Sequence, residues 1–149
     1  MKVRDVMITP VITVSPEATY EEAAALLHQN RLSGMPVVDR SGKIVGVISE
    51  KDLFRALFPL YEDFLGNPEA YADQERQEEE IESIRRQPVE KFMTRNVVTI
   101  DADARILHAG GLMLAHNIHR LPVMDRGKLV GIIAREDIYG TILKKHLGH

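Results

Sequence analysis

The sequence predicts a mixed α/β (α+β) fold in which a strand-helix-strand-strand-helix unit occurs twice, the two copies joined by a helical connector. Three observations predict it: an internal repeat, short β-branched runs alternating with helical patterns inside each copy, and a change of composition between the copies. Met7-Ile8-Thr9 matches Met93-Thr94-Arg95, and Val11-Ile12-Thr13-Val14 matches Val97-Val98-Thr99-Ile100, both at an offset of 86. The same offset aligns Ala23 with Ala109, Leu26 with Leu112, Pro36-Val37 with Pro122-Val123, and Asp39 with Asp125. One extra residue in the first copy, Ser41, changes the offset to 85, which pairs Gly42 with Gly127, Gly46 with Gly131 and Asp52 with Asp137. The expected boundaries are a first domain at 1-58, an acidic helical connector at 59-88 and a second domain at 89-149.

Within the first copy, Val11 to Val14 is a β-branched run ended by Ser15-Pro16, and is expected as a strand. Thr19-Tyr20-Glu21-Glu22 fits a capping box, in which hydroxyl and carboxylate each receive a backbone amide at a helix start. Ala23, Leu26, Leu27 and Asn30 follow at helical spacing and define a narrow apolar face. After Leu32-Ser33-Gly34, Met35 to Val38 reads as a strand, Asp39-Arg40-Ser41-Gly42 as a turn, and Ile44 to Ile48 as the next strand. A second helix is expected from Ser49 to about Phe58, stopped by Pro59. The second copy repeats this order from Val97 to about Lys145. Each copy then holds a three-stranded sheet with helices on one face, too little to bury its own apolar surface, so the copies are expected to pack together.

The connecting stretch, Leu60 to Pro88, differs in kind. Gly66-Asn67-Pro68 breaks it, and Glu69 through Arg86 is a polar helical pattern with Glu75, Glu78, Glu79, Glu80 and Glu82 ahead of Arg85 and Arg86. An acidic start and a basic end suit the helix dipole, and Glu82 sits at a favourable spacing from Arg86. The plain reading is a solvated connecting helix; the other is an acidic docking surface for a partner protein.

Composition excludes several classes of function. The 149 residues are 44% hydrophobic, which supports a folded, soluble body, and the formal net charge is −3. No overall positive field gathers nucleic acid or an anionic membrane, so neither is expected as a partner. The chain has no cysteine, hence no disulfide, thiolate nucleophile or thiolate-held metal. No apolar leader and no run of about 18 apolar residues is present, and the expected location is cytoplasmic. Catalytic signatures are missing too: no nucleophile elbow, no His-Glu-x-x-His, no glycine-rich or lysine phosphate loop. His108, His116 and His119 do not make a metal site, because His116-x-x-His119 straddles a predicted helix end and lacks a third ligand at suitable spacing. The expectation is therefore a protein with no catalytic residues and no metal.

The ordered set of Leu/Met-Pro-Val-h-Asp turn, Gly-h-h-(Ser/Ala)-x-x-Asp and final helix, present twice, closely resembles the cystathionine-β-synthase (CBS) domain family. That resemblance covers about Val6 to Leu57 and about Phe92 to Leu147. It implies a Bateman module: two CBS repeats packed in pseudo-two-fold fashion, whose clefts bind an adenine nucleotide (AMP, ADP or ATP) or an adenosyl ligand such as S-adenosylmethionine. It also implies a regulatory sensor rather than a catalyst, commonly a homodimer, read by a partner protein.

By the same resemblance each cleft is composite. The cleft with the intact motif would use Val47, Ser49, Lys51 and Asp52 with Met93, Val98, Ile118, His119, Arg120 and Pro122. The other would use Met7, Ile12, Leu32, Ser33, Gly34 and Pro36 with Ile132, Ala134 and Asp137, and departs from the family pattern because Ala134 replaces a hydroxyl residue. His119-Arg120 matches a pair that reaches phosphates in some members. The chemistry is apt, since an ionised carboxylate accepts from two adjacent ribose hydroxyls at once. The bland readings stand beside it: Ser-x-x-Asp is also a capping box, His119-Arg120 a polar strand entry, and Met7 and Met93 packing. The expected function is a stand-alone ligand-sensing module; the alternative is a dimerisation and protein-interaction scaffold with vestigial clefts.

Overall fold

A computed structural model of the chain describes residues 1–58 and 74–148. Elements follow in the order α1 (Tyr20–Gln29), β1 (Gly34–Val38), β2 (Ile44–Ser49), α2 (Glu50–Ala56), α3 (Gln74–Ile84), β3 (Ile100–Asp101), α4 (Ile106–His116), β4 (Arg120–Asp125), β5 (Lys128–Ala134) and α5 (Arg135–His146). The proline stop at Pro59, the break at Gly66-Asn67-Pro68 and the connector before Gln74 lie outside the described residues.

The chain divides into two compact units that do not coincide with the repeats. One comprises Met1–Ile12 with Val97–His149, the other Thr13–Asn96. The stretch ahead of each copy's first strand therefore belongs with the hairpin of the other copy.

In the Thr13–Asn96 unit, β1 and β2 form an antiparallel pair, with Gly34 opposite Ser49 and Val37 opposite Gly46. The strand expected at Val11 to Val14 is reduced to one parallel bridge between Val14 and Val37, so the three-stranded sheet expected here has two strands. Only Val14 reaches the ladder: its N–H donates to Pro36 O at 3.1 Å, and its carbonyl accepts from Val38 N at 2.9 Å. A β-branched run signals extended backbone, but strand identity needs a partner, and Val11 and Ile12 fall in the other unit. The capping box at α1 is present, Thr19 Oγ1 accepting from Glu22 N at 3.1 Å and Glu22 Oε2 from Thr19 N at 3.0 Å. Ala23 and Leu27 are buried as the helical spacing requires.

The connector returns onto this unit. Gln87 O accepts from Tyr20 N at 2.8 Å and Ala18 O from Val89 N at 2.7 Å, while Arg85 lies 3.2 Å from Glu82 and 3.8 Å from Glu21. The expected Glu82–Arg86 pair is present at 3.9 Å. Glu78, Glu79, Glu80 and Glu82 are exposed.

In the other unit β3 runs parallel to β4, and β4 antiparallel to β5, with Arg120 opposite Ala134 and Val123 opposite Gly131. The run Val97 to Ile100 contributes only its last residue to a strand. Lacking Ser41's counterpart, the β4–β5 turn is Arg126-Gly127 with φ of 52° and 75°, the left-handed pair that a two-residue hairpin demands. Its core gathers Val3, Ile100, Ile106, Ala109, Met113, Leu121, Val123, Ile133 and Ile138. Val3 arrives on a short 3₁₀ turn, Val3–Asp5, that Arg4 fastens by ion pairs to Asp103 at 3.0 Å and Asp125 at 3.2 Å.

One constraint recurs in both units. A Cβ on Gly46 would lie 2.6 Å from Met93 Sδ and 2.9 Å from Thr94 O; on Gly131 it would lie 2.6 Å from Met7 Sδ and 3.2 Å from Ile8 O. Gly46→Ala should therefore cost about 1–3 kcal/mol in urea unfolding, and more than Gly131→Ala, since a backbone carbonyl gives way less readily than a methionine tip. A second expectation concerns acid. The hydrogen bond from Arg4 holds the Asp103 carboxyl below its ordinary 3.8, against the opposing effect of burial. A depressed folded-state value contributes stability above the unfolded pKa and loses it as pH falls through the folded one. Asp103→Asn should accordingly flatten the acid limb of stability below pH 3.8, as read by chemical denaturation across pH.

Candidate functional site

Each hairpin's second strand ends directly in a helix, and this junction carries the Gly-h-h-x-x-x-Asp motif. At the β2–α2 junction Ser49 is the N-cap. Ser49 Oγ accepts from Asp52 N at 3.1 Å, while Asp52 Oδ2 accepts from Ser49 N at 3.0 Å and from Ser49 Oγ at 2.9 Å. The capping reading of this pair is thus realised. Asp52 is 9% exposed, the buried charged residue among the described ones. Its other oxygen, Oδ1, has lighter company: Thr94 Oγ1 donates to it across 3.3 Å, and Arg55 lies 3.8 Å away.

Thr94 arrives because Met93-Thr94 crosses β2 at Gly46-Val47, with Val47 N to Thr94 O and Thr94 N to Val47 O both 2.9 Å. Sequence reasoning singled out Met93 but missed Thr94. The signal was in the repeat, where Thr94 matches Ile8, a hydroxyl against an apolar side chain. Leu32, Ser33, Gly34 and Pro36 adjoin the same junction: Gly34 pairs with Ser49, Pro36 with Val47, and Glu50 N donates to Ser33 O at 2.9 Å. Lys51 is exposed.

The β5–α5 junction is built alike from the other unit's residues. Met7-Ile8 crosses β5 at Gly131-Ile132, with Ile8 N donating to Ile132 O at 2.8 Å. Asp137 Oδ2 accepts from Ala134 N at 2.9 Å, so half of the capping box survives without the hydroxyl. Arg120 pairs with Ala134, Pro122 with Ile132, and Arg135 N donates to His119 O at 2.9 Å. Val98 and Ile118 pack against this unit's core. The structure therefore gathers Val47, Ser49, Lys51, Asp52 and Met93 with Leu32 to Pro36 in one unit. Met7, Ile12, Ile132, Ala134 and Asp137 belong with Val98, Ile118, His119, Arg120 and Pro122 in the other.

Two hairpin–helix junctions with one strand register define a duplicated domain, and comparison with known proteins says which. The CBS domain profile matches residues 3–59 and 89–144, and the chain belongs to the CBS domain family, of which it carries two copies. The uncharacterized protein MJ1426 of Methanocaldococcus jannaschii is 31% identical over 155 residues, spanning 96% of this chain and 92% of the relative. The crystal structure of the CBS domain pair of protein MJ0100 in complex with 5′-methylthioadenosine and S-adenosyl-L-methionine is similar at a TM-score of 0.74 and 29% identity, covering 97% of this chain and 98% of that one. The crystal structure of CBSX2 in complex with AMP is similar at a TM-score of 0.73 and 26% identity, with 96% of each chain covered. No helix among the described residues is long and apolar enough to cross a membrane.

Loss of the Ser49 hydroxyl leaves the first junction capped as the second already is. Ser49→Ala should cost about 0.5–2 kcal/mol in denaturant unfolding, the usual worth of an N-cap side chain.

Proposed function

We propose that the chain is a non-catalytic regulatory sensor that binds an adenine nucleotide or S-adenosylmethionine at its hairpin–helix junctions and is read by a partner protein. The observation that carries this reading is the Asp52 carboxylate: Oδ2 is fixed in the helix cap, while Oδ1 is engaged loosely, by Thr94 at 3.3 Å and the exposed Arg55 at 3.8 Å. A carboxylate held in place with an underused oxygen is suited to the vicinal hydroxyls of a ribose. The adenosyl ligands in the MJ0100 pair and the AMP in CBSX2 support the ligand class. Exposed Leu107 and Leu114 on α4 and Tyr139 on α5 favour association with a second copy, and a cytoplasmic homodimer completes the reading. Regulation requires the ligand to bind two arrangements of the protein with different free energies, typically by about 1–3 kcal/mol.

One feature favours the scaffold alternative: both aspartates already serve as caps, a role that needs no ligand. Calorimetry separates the two readings. AMP, ADP, ATP and S-adenosylmethionine are titrated into the wild type and Asp52→Asn; the sensor reading expects at least one to bind, and the substitution to weaken it roughly 10–100-fold, as loss of a charged acceptor does. Silence from all four ligands would leave the scaffold.

A further inference from the structure

The two crossing segments are held to their hairpins by matching backbone bonds and by different side chains. Val3 N donates to Ala104 O at 2.8 Å and Arg4 N to Ala102 O at 2.9 Å; at the corresponding places Val89 N donates to Ala18 O at 2.7 Å and Glu90 N to Pro16 O at 3.1 Å. Farther along, Ile8 N donates to Ile132 O at 2.8 Å and Ile132 N to Ile8 O at 3.1 Å, while Thr94 and Val47 exchange the same two bonds at 2.9 Å. Each segment thus has a root, where Val3 or Val89 is fully buried, and a tip that lies on the second strand of the hairpin.

At the tips the side chains diverge. Phe92 meets the ring of Tyr20 edge-on at 5.3 Å, Met93 is buried, and Thr94 Oγ1 donates to Asp52 Oδ1 at 3.3 Å. Tyr20 is itself fixed, its hydroxyl donating to Leu53 O at 2.6 Å. In the other unit the same positions hold Val6, half-buried Met7 and Ile8, with Ile106 in the place of Tyr20. Ile8 is 55% exposed and offers Asp137 no donor. This tip therefore lacks both the aromatic pair and the hydrogen bond to a carboxylate that hold the other. The roots show the opposite bias. Arg4 bridges Asp103 and Asp125, whereas Glu90, Glu17 and Asp39 occupy those three places in the first unit.

Local opening begins where few buried contacts back the backbone bonds. We propose that Met7-Ile8 is a flap that lifts from β5 without unfolding of its unit, hinged on the 3₁₀ turn that Arg4 fastens, while Met93-Thr94 stays closed on β2. Lifting takes Met7 from Gly131 and frees the N–H and carbonyl of Ile132, so the β5–α5 junction has a closed and an open form. A ligand or partner that prefers one form shifts the balance between them, which is the two-state element that regulation requires. The flap is independent of which ligand the junctions take.

Amide hydrogen exchange is measured on wild type, Ile8→Thr and Thr94→Ile, with thermal melts to verify that each variant folds. In wild type the Ile8 and Ile132 amides should be roughly tenfold or more less protected than those of Thr94 and Val47, the scale of the missing contacts. Their exchange should be unchanged by low urea, as for local opening, while the core amide of Leu121 follows global unfolding. Ile8→Thr, which offers Asp137 the hydroxyl that Asp52 receives, should raise Ile132 protection about threefold or more, and Thr94→Ile should lower that of Val47 by a similar factor. If Thr94→Ile does not fold, Ile8→Thr decides. Equal protection of the two pairs in wild type overturns the flap, and so does exchange of Ile132 only at the rate of Leu121. A difference that the substitutions leave unmoved also overturns it, because the named contacts then do not set it. The adenosyl reading stands or falls separately, on calorimetry.

Discussion

The close approach of another backbone segment to Gly46 and to Gly131 is the constraint on which the rest of the structure depends. At each glycine a methionine, Met93 or Met7, lies where a Cβ would stand, and the residue after it bridges to the strand, Thr94 to Val47 and Ile8 to Ile132. Only glycine admits that approach. Because it occurs in both units, each hairpin is completed by the segment that precedes the other copy's first strand, and Val3 and Val89 are carried into full burial with those segments. Burying a valine contributes on the order of 1.5–3 kcal/mol, so the crossing segments are part of each unit's core rather than trailing ends.

The chemistry of the junctions follows from that crossing. Fixing Met93 over Gly46 sets Thr94 beside Asp52, and fixing Met7 over Gly131 brings Ile8 to the matching strand position. One backbone arrangement thus supports a Ser-Asp-Thr set in one unit and an Ala-Asp-Ile set in the other. Divergence between the copies has fallen on side chains that face the junction, while the strand register, the helix-start hydrogen bond and the aspartate are the same.

Much of this was legible in the sequence wherever a local rule decides the outcome. The Thr19–Glu22 box, the glycine turns and the hairpins at Met35 to Ile48 need only nearby residues, and the repeat offset gave the second copy from the first. Local rules failed at Val11 to Val14 and Val97 to Ile100. A β-branched run looks like a strand, but the first passes from one unit to the other, the second begins where the chain enters its unit, and only the last residue of each finds a ladder. Aligning the repeats groups residues by order along the chain and does not by itself show the exchange of the segments around Met7 and Met93, which came only with the family resemblance that set Met93 with Asp52 and Met7 with Asp137. Thr94 escaped notice for a related reason: it stands out only when compared with its partner in the other copy, Ile8.

Capping and ligand binding need not compete for the aspartates, because a carboxylate has two oxygens. In Asp52 the cap uses Oδ2 alone, receiving both the amide and the hydroxyl of Ser49. In Asp137 the cap again uses Oδ2, receiving the Ala134 amide. The cap holds each side chain in one rotamer and directs its remaining oxygen, so the ordering that a ligand would otherwise impose is already complete in the folded chain. An aspartate three residues into a helix start is in this sense a capping residue that leaves a second acceptor oriented in advance. The two junctions then differ not in the presence of that acceptor but in the hydroxyls beside it, Ser49 and Thr94 in one against Ala134 and Ile8 in the other.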